Sequence, residues 1–258
     1  KMTIQERIKK IISANIPLYI EGESGWGKSE IVAQVSEEMG LPLIDIRLAG
    51  VPPEDLNGVP VRQGPSFVYL APEWANKMKD KEFILFLDEL NQASPQTLHA
   101  AYQIVLNRTI AGVHIPGMHI IAAGNLMEEN PLLTEIPTPL LKRFLKITWP
   151  KNITAAVDWL NRKYPKVRID SIETNPRQTE YAIMAFLSGA AKEDIIPLCG
   201  AAITDTLFKI PDTDGTKLLK KIDILKSQLD NGVVSVSEIT ETYGQEIADA
   251  VLGKMEKK

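Results

Sequence analysis

The first 150 residues alternate between short apolar runs and stretches of helical periodicity. Short apolar or β-branched runs predict buried strands, and apolar residues that recur every three or four positions predict amphipathic helices. Strands are predicted at 17–22, 41–48, 83–87, 119–123 and 144–148, and helices at 4–12, 28–39, 73–78 and 95–106. Strands that alternate with helices are typical of a parallel sheet covered on both faces, so we expect an α/β domain over residues 1–150.

Beyond Pro150 the strand patterns fade and helical periodicity dominates. Helices are predicted at 154–162, 176–187, 216–229 and 237–255, which indicates a second, all-helical domain over residues 151–258. Residues 49–72 fit neither period and are rich in Pro and Gly. An irregular stretch of this length in a compact domain is usually functional or contains an unrecognised hairpin.

Composition narrows the class of protein. The net charge of −4 gives no electrostatic reason to expect a nucleic-acid partner. The single cysteine, Cys199, excludes an intramolecular disulfide, and its apolar neighbours indicate a buried thiol in a reducing compartment. The longest apolar run, 83–87, is too short to span a bilayer, so we expect a soluble cytoplasmic protein.

Residues 22–29 match the pattern G-x-x-x-x-G-K-[ST] between a predicted strand and a predicted helix. Glycines let backbone N–H groups approach phosphate, and the helix amino terminus adds positive potential. Lys28 would reach the β and γ oxygens, and Ser29 would hold Mg²⁺. The predicted nucleotide-binding residues are Gly22, Glu23, Ser24, Gly25, Trp26, Gly27, Lys28, Ser29 and Glu30. We call residues 22–29 the phosphate loop.

Further polar residues follow predicted strands. Asp88 ends the apolar run at 83–87 and is the second predicted Mg²⁺ ligand, while the adjacent Glu89 is suited to orienting and deprotonating a water. Such a carboxylate indicates hydrolysis and not transfer to a small acceptor. Asn125 follows another strand, where its amide would hold the attacking water, and Arg143 precedes the fifth strand as a cation suited to transferring phosphate.

This order of elements resembles the AAA+ ATPases, and within them the MoxR-like and dynein-related group, over residues 19–149. By resemblance, 22–29 is Walker A, 85–92 is Walker B, Asn125 is sensor 1 and Arg143 is the arginine finger. Asn175, Pro176 and Arg177 resemble the sensor 2 motif, which commonly reads Ser-Pro-Arg in this group. Trp26 departs from the family, which usually carries a smaller residue there.

The resemblance implies a sheet in the order 5-1-4-3-2, a helical lid and a Mg²⁺-dependent ATPase that usually forms a hexameric ring. Arg143 would act on the neighbour's ATP, with Lys142 as the next candidate, and Arg177 would sense the γ-phosphate of its own subunit. Many members carry a hairpin inserted into the second helix, which residues 58–69 match. Phe67 and Tyr69 would then contact a partner or the pore, or alternatively pack as ordinary strand residues.

The favoured function is an ATP-driven remodeller of a protein complex, aided by a partner such as a von Willebrand A domain protein. The alternative is a nucleic-acid-associated AAA+ NTPase of the restriction-motor or replication-loader type, which the mild acidity and the lack of a basic, aromatic cluster disfavour. A nucleotide-gated scaffold is a third class. His114 and His119 flank the predicted hairpin turn Pro116-Gly117 without further ligands at metal spacing, so Mg²⁺ is the only metal we expect.

Overall fold

The computed structural model describes residues 2–126 and 133–209, together with 225, 229, 235–243 and 252. Internal contacts divide the chain into two units. The first comprises residues 1–156 together with 175–177, and the second comprises 157–174 and 178–258. Among the described residues, no helix combines the length and the apolar character that crossing a membrane requires.

The strands of the first unit are β1 (Leu18–Glu21), β2 (Leu43–Arg47), β3 (Val59–Gln63), β4 (Ser66–Leu70), β5 (Phe83–Asp88), β6 (Thr109–Ile110), β7 (Val113–His114), β8 (Met118–Gly124) and β9 (Leu145–Thr148). Its helices are α1 (Ile4–Ser13), α2 (Lys28–Met39), α3 (Pro53–Asn57), α4 (Glu73–Met78), α5 (Pro95–Asn107) and α6 (Thr138–Leu141), with a 3₁₀ turn at Leu90–Gln92. Most of these elements lie within two residues of the predicted bounds.

Five parallel strands form the central sheet in the order β2-β5-β8-β1-β9. Counted as the five sheet strands alone, this order reads 5-1-4-3-2 from the β9 edge, which is the predicted order. The labels differ only because two small hairpins, β3–β4 and β6–β7, lie between sheet strands along the chain. The prediction of an α/β fold with a five-stranded parallel sheet is therefore confirmed.

Side chains that alternate along each strand build one core on each face of the sheet. On one face Tyr19, Leu85 and Ile120 pack with α5, and on the other Ile20 and Phe86 pack with α1 and α2 in a second cluster. All six residues of β5 are buried, as expected for a strand covered on both faces. The sheet is thus fixed from both sides, and the carboxyl ends of its strands share one edge.

Residues 49–72 contain α3 and then the antiparallel hairpin β3–β4, and α4 follows directly. A hairpin at 58–69 is thereby confirmed. All ten strand residues of this hairpin are exposed. Because paired residues share a face, Val61 and Val68 lie on one face and Arg62 and Phe67 on the other.

The second unit is helical where it is described. Its helices are α7 (Ile153–Lys163), α8 (Pro176–Leu187), α9 (Lys192–Cys199), α10 (Ala201–Lys209) and α11 (Val236–Tyr243). The first residues of α7 and α8 belong to the first unit. Cys199 is buried with its Sγ 3.4 Å from Thr204 Oγ1, and burial raises the pKa of its thiol. The predicted helix at 216–229 lies almost wholly outside the described residues, as does the end of the helix predicted at 237–255.

Two local predictions differ from the structure. The hairpin expected around Pro116-Gly117 turns instead at Ala111-Gly112, where both residues have positive φ, and residues 116–117 lead into β8. Helices α9 and α10 were not predicted. Pro197 lies inside α9, and a proline in a helical stretch weakens the sequence pattern on which such a prediction depends.

Candidate active site

The phosphate loop joins β1 to α2 at the carboxyl edge of the sheet. Gly25 and Gly27 have φ values of 78° and 85°, a left-handed conformation that glycine adopts without strain. Gly22 N–H donates to Gly124 O at 3.2 Å, which ties the start of the loop to the end of β8. The sequence thus supplies glycine where the loop turns, and the neighbouring strand fixes where the loop begins.

Lys28 is only 7% exposed although it carries a charge. Its Nζ donates to Gly22 O at 2.6 Å, to Glu23 O at 2.7 Å and to Asn125 Oδ1 at 3.0 Å. A buried ammonium is tolerated because its donors find acceptors, which here include two loop carbonyls and one amide oxygen. The contact with Asn125 brings together two predicted site residues that are 97 positions apart in the sequence.

Ser29 and Asp88 form the second contact across the site. Ser29 Oγ donates to Asp88 Oδ2 at 2.7 Å, and Asp88 Oδ1 accepts from Glu89 N–H at 2.8 Å. Asp88 is 6% exposed. Hydroxyl and carboxylate oxygens are suitable Mg²⁺ ligands, and Mg²⁺ is commonly held by one or two protein oxygens together with substrate phosphates. Ser29 and Asp88 are therefore chemically suited to hold it.

Glu89 stands directly after β5 with φ 56° and ψ 40°. A left-handed backbone is unusual for a residue with a side chain, and such conformations cluster at functional sites. Glu89 Oε1 lies 3.8 Å from Nε of Arg47, the last residue of β2. On the same strand, burial and then the nearby charge of Asp88 raise the pKa of Asp45, while Arg47 opposes this shift.

Asn91 was not predicted as a site residue, yet it holds Asn125 by two hydrogen bonds. Asn125 N–H donates to Asn91 Oδ1 at 3.1 Å, and Asn91 Nδ2 donates to Asn125 O at 2.7 Å. Asn91 is 2% exposed, and its own carbonyl accepts from Thr134 N–H at 2.8 Å. The sequence signal was a polar residue within the predicted Walker B stretch, but nothing in it indicated the partner.

The remaining residues of the predicted set take different positions around this cluster. Gly22 is buried, Glu23 is half-buried and in an ion pair with Lys151, and Trp26 is half-buried, whereas Ser24, Gly27 and Glu30 are exposed. Trp149 was missed by sequence reasoning, and its indole Nε1–H donates to Trp26 O at 2.7 Å.

Neither predicted arginine is hydrogen-bonded to this cluster within the part of the chain that the structure describes. Arg143 is exposed and follows α6, and its side chain forms no hydrogen bond or ion pair with the residues the structure describes. Arg177 is exposed and groups with the first unit, as does Asn175. A Cβ placed on Gly25 would lie 2.7 Å from Asn175 Oδ1, so the 175–177 segment begins in contact with the phosphate loop.

The family comparison covers the region that holds this cluster. A family described as "ATPase family associated with various cellular activities (AAA)" matches residues 18–150, more than half of the chain. The chain belongs to the AAA family of ATPases. Membership implies nucleotide binding and ATP hydrolysis by the first unit of this AAA protein. Among curated proteins no sequence match was found.

Several solved structures resemble the chain in fold. An inferred ATPase from Cytophaga hutchinsonii is 15% identical with a TM-score of 0.48, covering 85% of this chain and 62% of its own. This chain therefore spans less than two thirds of that relative. A RuvB variant from Thermotoga maritima is 16% identical with a TM-score of 0.49, and the match covers 96% of this chain and 84% of the RuvB chain. NtrX from Brucella abortus in complex with ADP is 14% identical with a TM-score of 0.47, and the match covers 98% of this chain and 68% of the NtrX chain.

Proposed function

We propose that this AAA ATPase is a Mg²⁺-dependent motor of the MoxR-like, dynein-related group that works as a hexameric ring and remodels a protein partner. The observation that carries the proposal is the connected cluster of Lys28, Ser29, Asp88 and Asn125, with Glu89 adjacent to it. A phosphate loop bonded to an acidic strand end and to an amide brings together the parts that recur in P-loop enzymes that hydrolyse nucleoside triphosphates.

Each residue then has a defined part in the reaction. Lys28 exchanges its loop carbonyls for phosphate oxygens. Ser29 and Asp88 would hold Mg²⁺, which would supply positive charge beside the phosphates. Glu89 orients a water and takes its proton as the water oxygen bonds to the γ-phosphorus. The bond between the γ-phosphorus and the bridging oxygen breaks, and ADP leaves with the electron pair. Asn125, fixed by Asn91, holds the attacking water.

The proposal that Arg143 acts in trans has two supports. Its side chain is exposed, and it forms no ion pair with the described part of its own chain, so it is available to a neighbouring subunit. Arg177 follows Asn175, which contacts Gly25, so we assign Arg177 to the nucleotide of its own subunit. An active site completed by a neighbouring subunit requires head-to-tail contacts between identical subunits. Such contacts close into a ring when the rotation that relates successive subunits allows it.

The β3–β4 hairpin supports action on a protein. Phe67 is 71% exposed and Tyr69 is 58% exposed, so neither packs as an ordinary strand residue within the chain. Aromatic side chains are enriched in protein–protein contacts. We assign these two residues to contacts with the remodelled protein, and we propose that a separate partner, such as a von Willebrand A domain protein, selects it.

Mixing two inactive variants tests the ring and the trans assignment together. Arg143→Ala keeps Glu89 but lacks the proposed trans residue, and Glu89→Gln has the opposite defect. Each should bind ATP with little turnover, because a trans arginine contributes about 10³ to 10⁵ in rate and a general base about 10² to 10⁴. In a random equimolar mixture, about one quarter of the interfaces pair an intact Glu89 with an intact Arg143, so up to about a quarter of native activity should return.

Lys142→Ala is the matched control, since it removes the adjacent exposed cation and should leave turnover unchanged. Full activity of Arg143→Ala alone would reject the assignment and make Lys142 the candidate. Hybrid rings that form but recover no activity would contradict completion of the site between subunits.

A further inference from the structure

Trp149 contacts the phosphate loop at its beginning and near its end. Its backbone N–H donates to Glu21 O at 2.6 Å, as β9 pairs with β1. A Cβ placed on Gly22 would lie 2.7 Å from Trp149 Cβ, so the tryptophan packs directly on the Gly22 backbone. Its indole Nε1–H donates to Trp26 O at 2.7 Å. One residue, directly after the neighbouring strand β9, therefore contacts both ends of the loop.

The bond to Trp26 O controls the direction of a second group. A peptide unit is planar and trans, so the C=O of Trp26 and the N–H of Gly27 point in opposite directions. Holding the carbonyl towards Trp149 therefore aims the Gly27 N–H away from Trp149. Gly27 has φ 85°, and apart from its chain neighbours no residue has an atom within 4 Å of a Cβ placed on it, so packing around Gly27 restrains this peptide little.

Two lysines hold the first half of the loop. Lys28 Nζ binds Gly22 O and Glu23 O, and Lys151 forms an ion pair with the Glu23 side chain. Lys28 is also the residue that would turn to a bound phosphate, and its bonds to the loop then weaken. Neither the indole N–H nor the Trp26 carbonyl is a group that would bind phosphate, so we expect this bond to persist when nucleotide enters.

We propose that Trp149 is a positioning residue of the nucleotide site. Its indole N–H holds the Trp26–Gly27 peptide so that the Gly27 N–H faces the β-phosphate of the bound nucleotide. The proposal rests on nucleotide binding by the phosphate loop. It does not depend on the ring or on the protein partner.

Replacing Trp149 by 3-benzothienylalanine tests the bond itself, because the bicyclic shape is retained while sulfur replaces the N–H. The dissociation constants of ADP and AMP are measured on the full chain by titration calorimetry, with melting temperature as the check on folding. We expect ADP to bind about fivefold more weakly, the fold-change that corresponds to one net hydrogen bond. AMP lacks the β-phosphate, so its affinity should not change. Trp149→Phe also lacks the donor and should weaken ADP at least as much.

The matched control is the same replacement at Trp159, which should leave ADP affinity unchanged. Trp159 lies in the second unit, and Lys163 Nζ is 4.8 Å from its ring centre. Unchanged ADP affinity in the benzothienyl variant at position 149 would overturn the proposal. Equal weakening of ADP and AMP would also overturn it, because that result indicates a general disturbance of the loop. Native protein that binds no ADP would refute the nucleotide site itself, so this titration comes first, with Lys28→Ala as its negative reference.

Discussion

Asn91→Ala tests whether Asn91 contributes to catalysis by holding the Asn125 backbone, since the substitution leaves the Asn125 side chain present. The substitution removes both hydrogen bonds that hold the Asn125 backbone, at 3.1 and 2.7 Å. At about 1 kcal/mol net for each bond, we expect the free energy of unfolding to fall by about 2 kcal/mol. The side-chain amide of Asn125 remains, with its contact to Lys28, but loses the backbone support that aligns it. Complete loss of one aligned donor lowers kcat about 10² to 10³-fold. A misaligned Asn125 side chain should therefore lower kcat about tenfold and leave KM for ATP nearly unchanged.

The assay is steady-state phosphate release, together with urea unfolding of the same preparations. Asn107→Ala is the matched control, because Asn107 is an exposed asparagine whose side chain bonds only weakly to Gln103. The decisive comparison is the double variant Asn91→Ala/Asn125→Ala. If Asn91 acts through Asn125, the double variant should have the kcat of Asn125→Ala alone. Reductions in kcat that multiply, or an Asn91→Ala enzyme that is less stable but fully active, would refute the reasoning.

Two further predictions concern residues beside the site. Gly124→Ala should lower the free energy of unfolding by about 1 to 3 kcal/mol, because its Cβ would overlap the Tyr19 hydroxyl. A double-mutant cycle measured by urea unfolding tests this, and adding Tyr19→Phe should recover at least half of the loss. If the effects of the two substitutions on the free energy of unfolding simply add, the overlap is contradicted. Asp45→Asn should stabilise the protein at pH 7, because the pKa of Asp45 is raised and the folded state loses stability as pH rises through that pKa. The gain in unfolding free energy should vanish as pH falls to about 4. A gain that grows on acidification would contradict the raised pKa.

Local patterns predicted the elements of the site well. The phosphate loop could be predicted because glycines, Lys28 and Ser29 lie within eight consecutive residues between a strand and a helix. Asp88 and Asn125 each follow a buried strand, and the carboxyl ends of parallel strands meet at one edge of the sheet. The strand order itself followed from family resemblance and not from the pattern of residues.

Contacts between distant residues left no such pattern. Trp149 and Trp26 are 123 positions apart, and the bond joins an indole to a main-chain carbonyl, which any residue at position 26 would offer. Asn91 and Asn125 are likewise joined through a backbone 34 positions away. At Ala111-Gly112 the turn lacks the Asn or Asp that usually indicates a hairpin, so the Pro116-Gly117 dipeptide gave the stronger but incorrect signal.

The central claim is that ATP binds at the phosphate loop and is hydrolysed with the help of Glu89. The most direct test measures MgATP binding and phosphate release for the native chain and Glu89→Gln, with Lys28→Ala as the reference for lost binding. We predict that Glu89→Gln binds MgATP as the native chain does and releases phosphate about 10² to 10⁴ times more slowly, the contribution expected of a general base. Phosphate release by Glu89→Gln at the native rate would contradict the account.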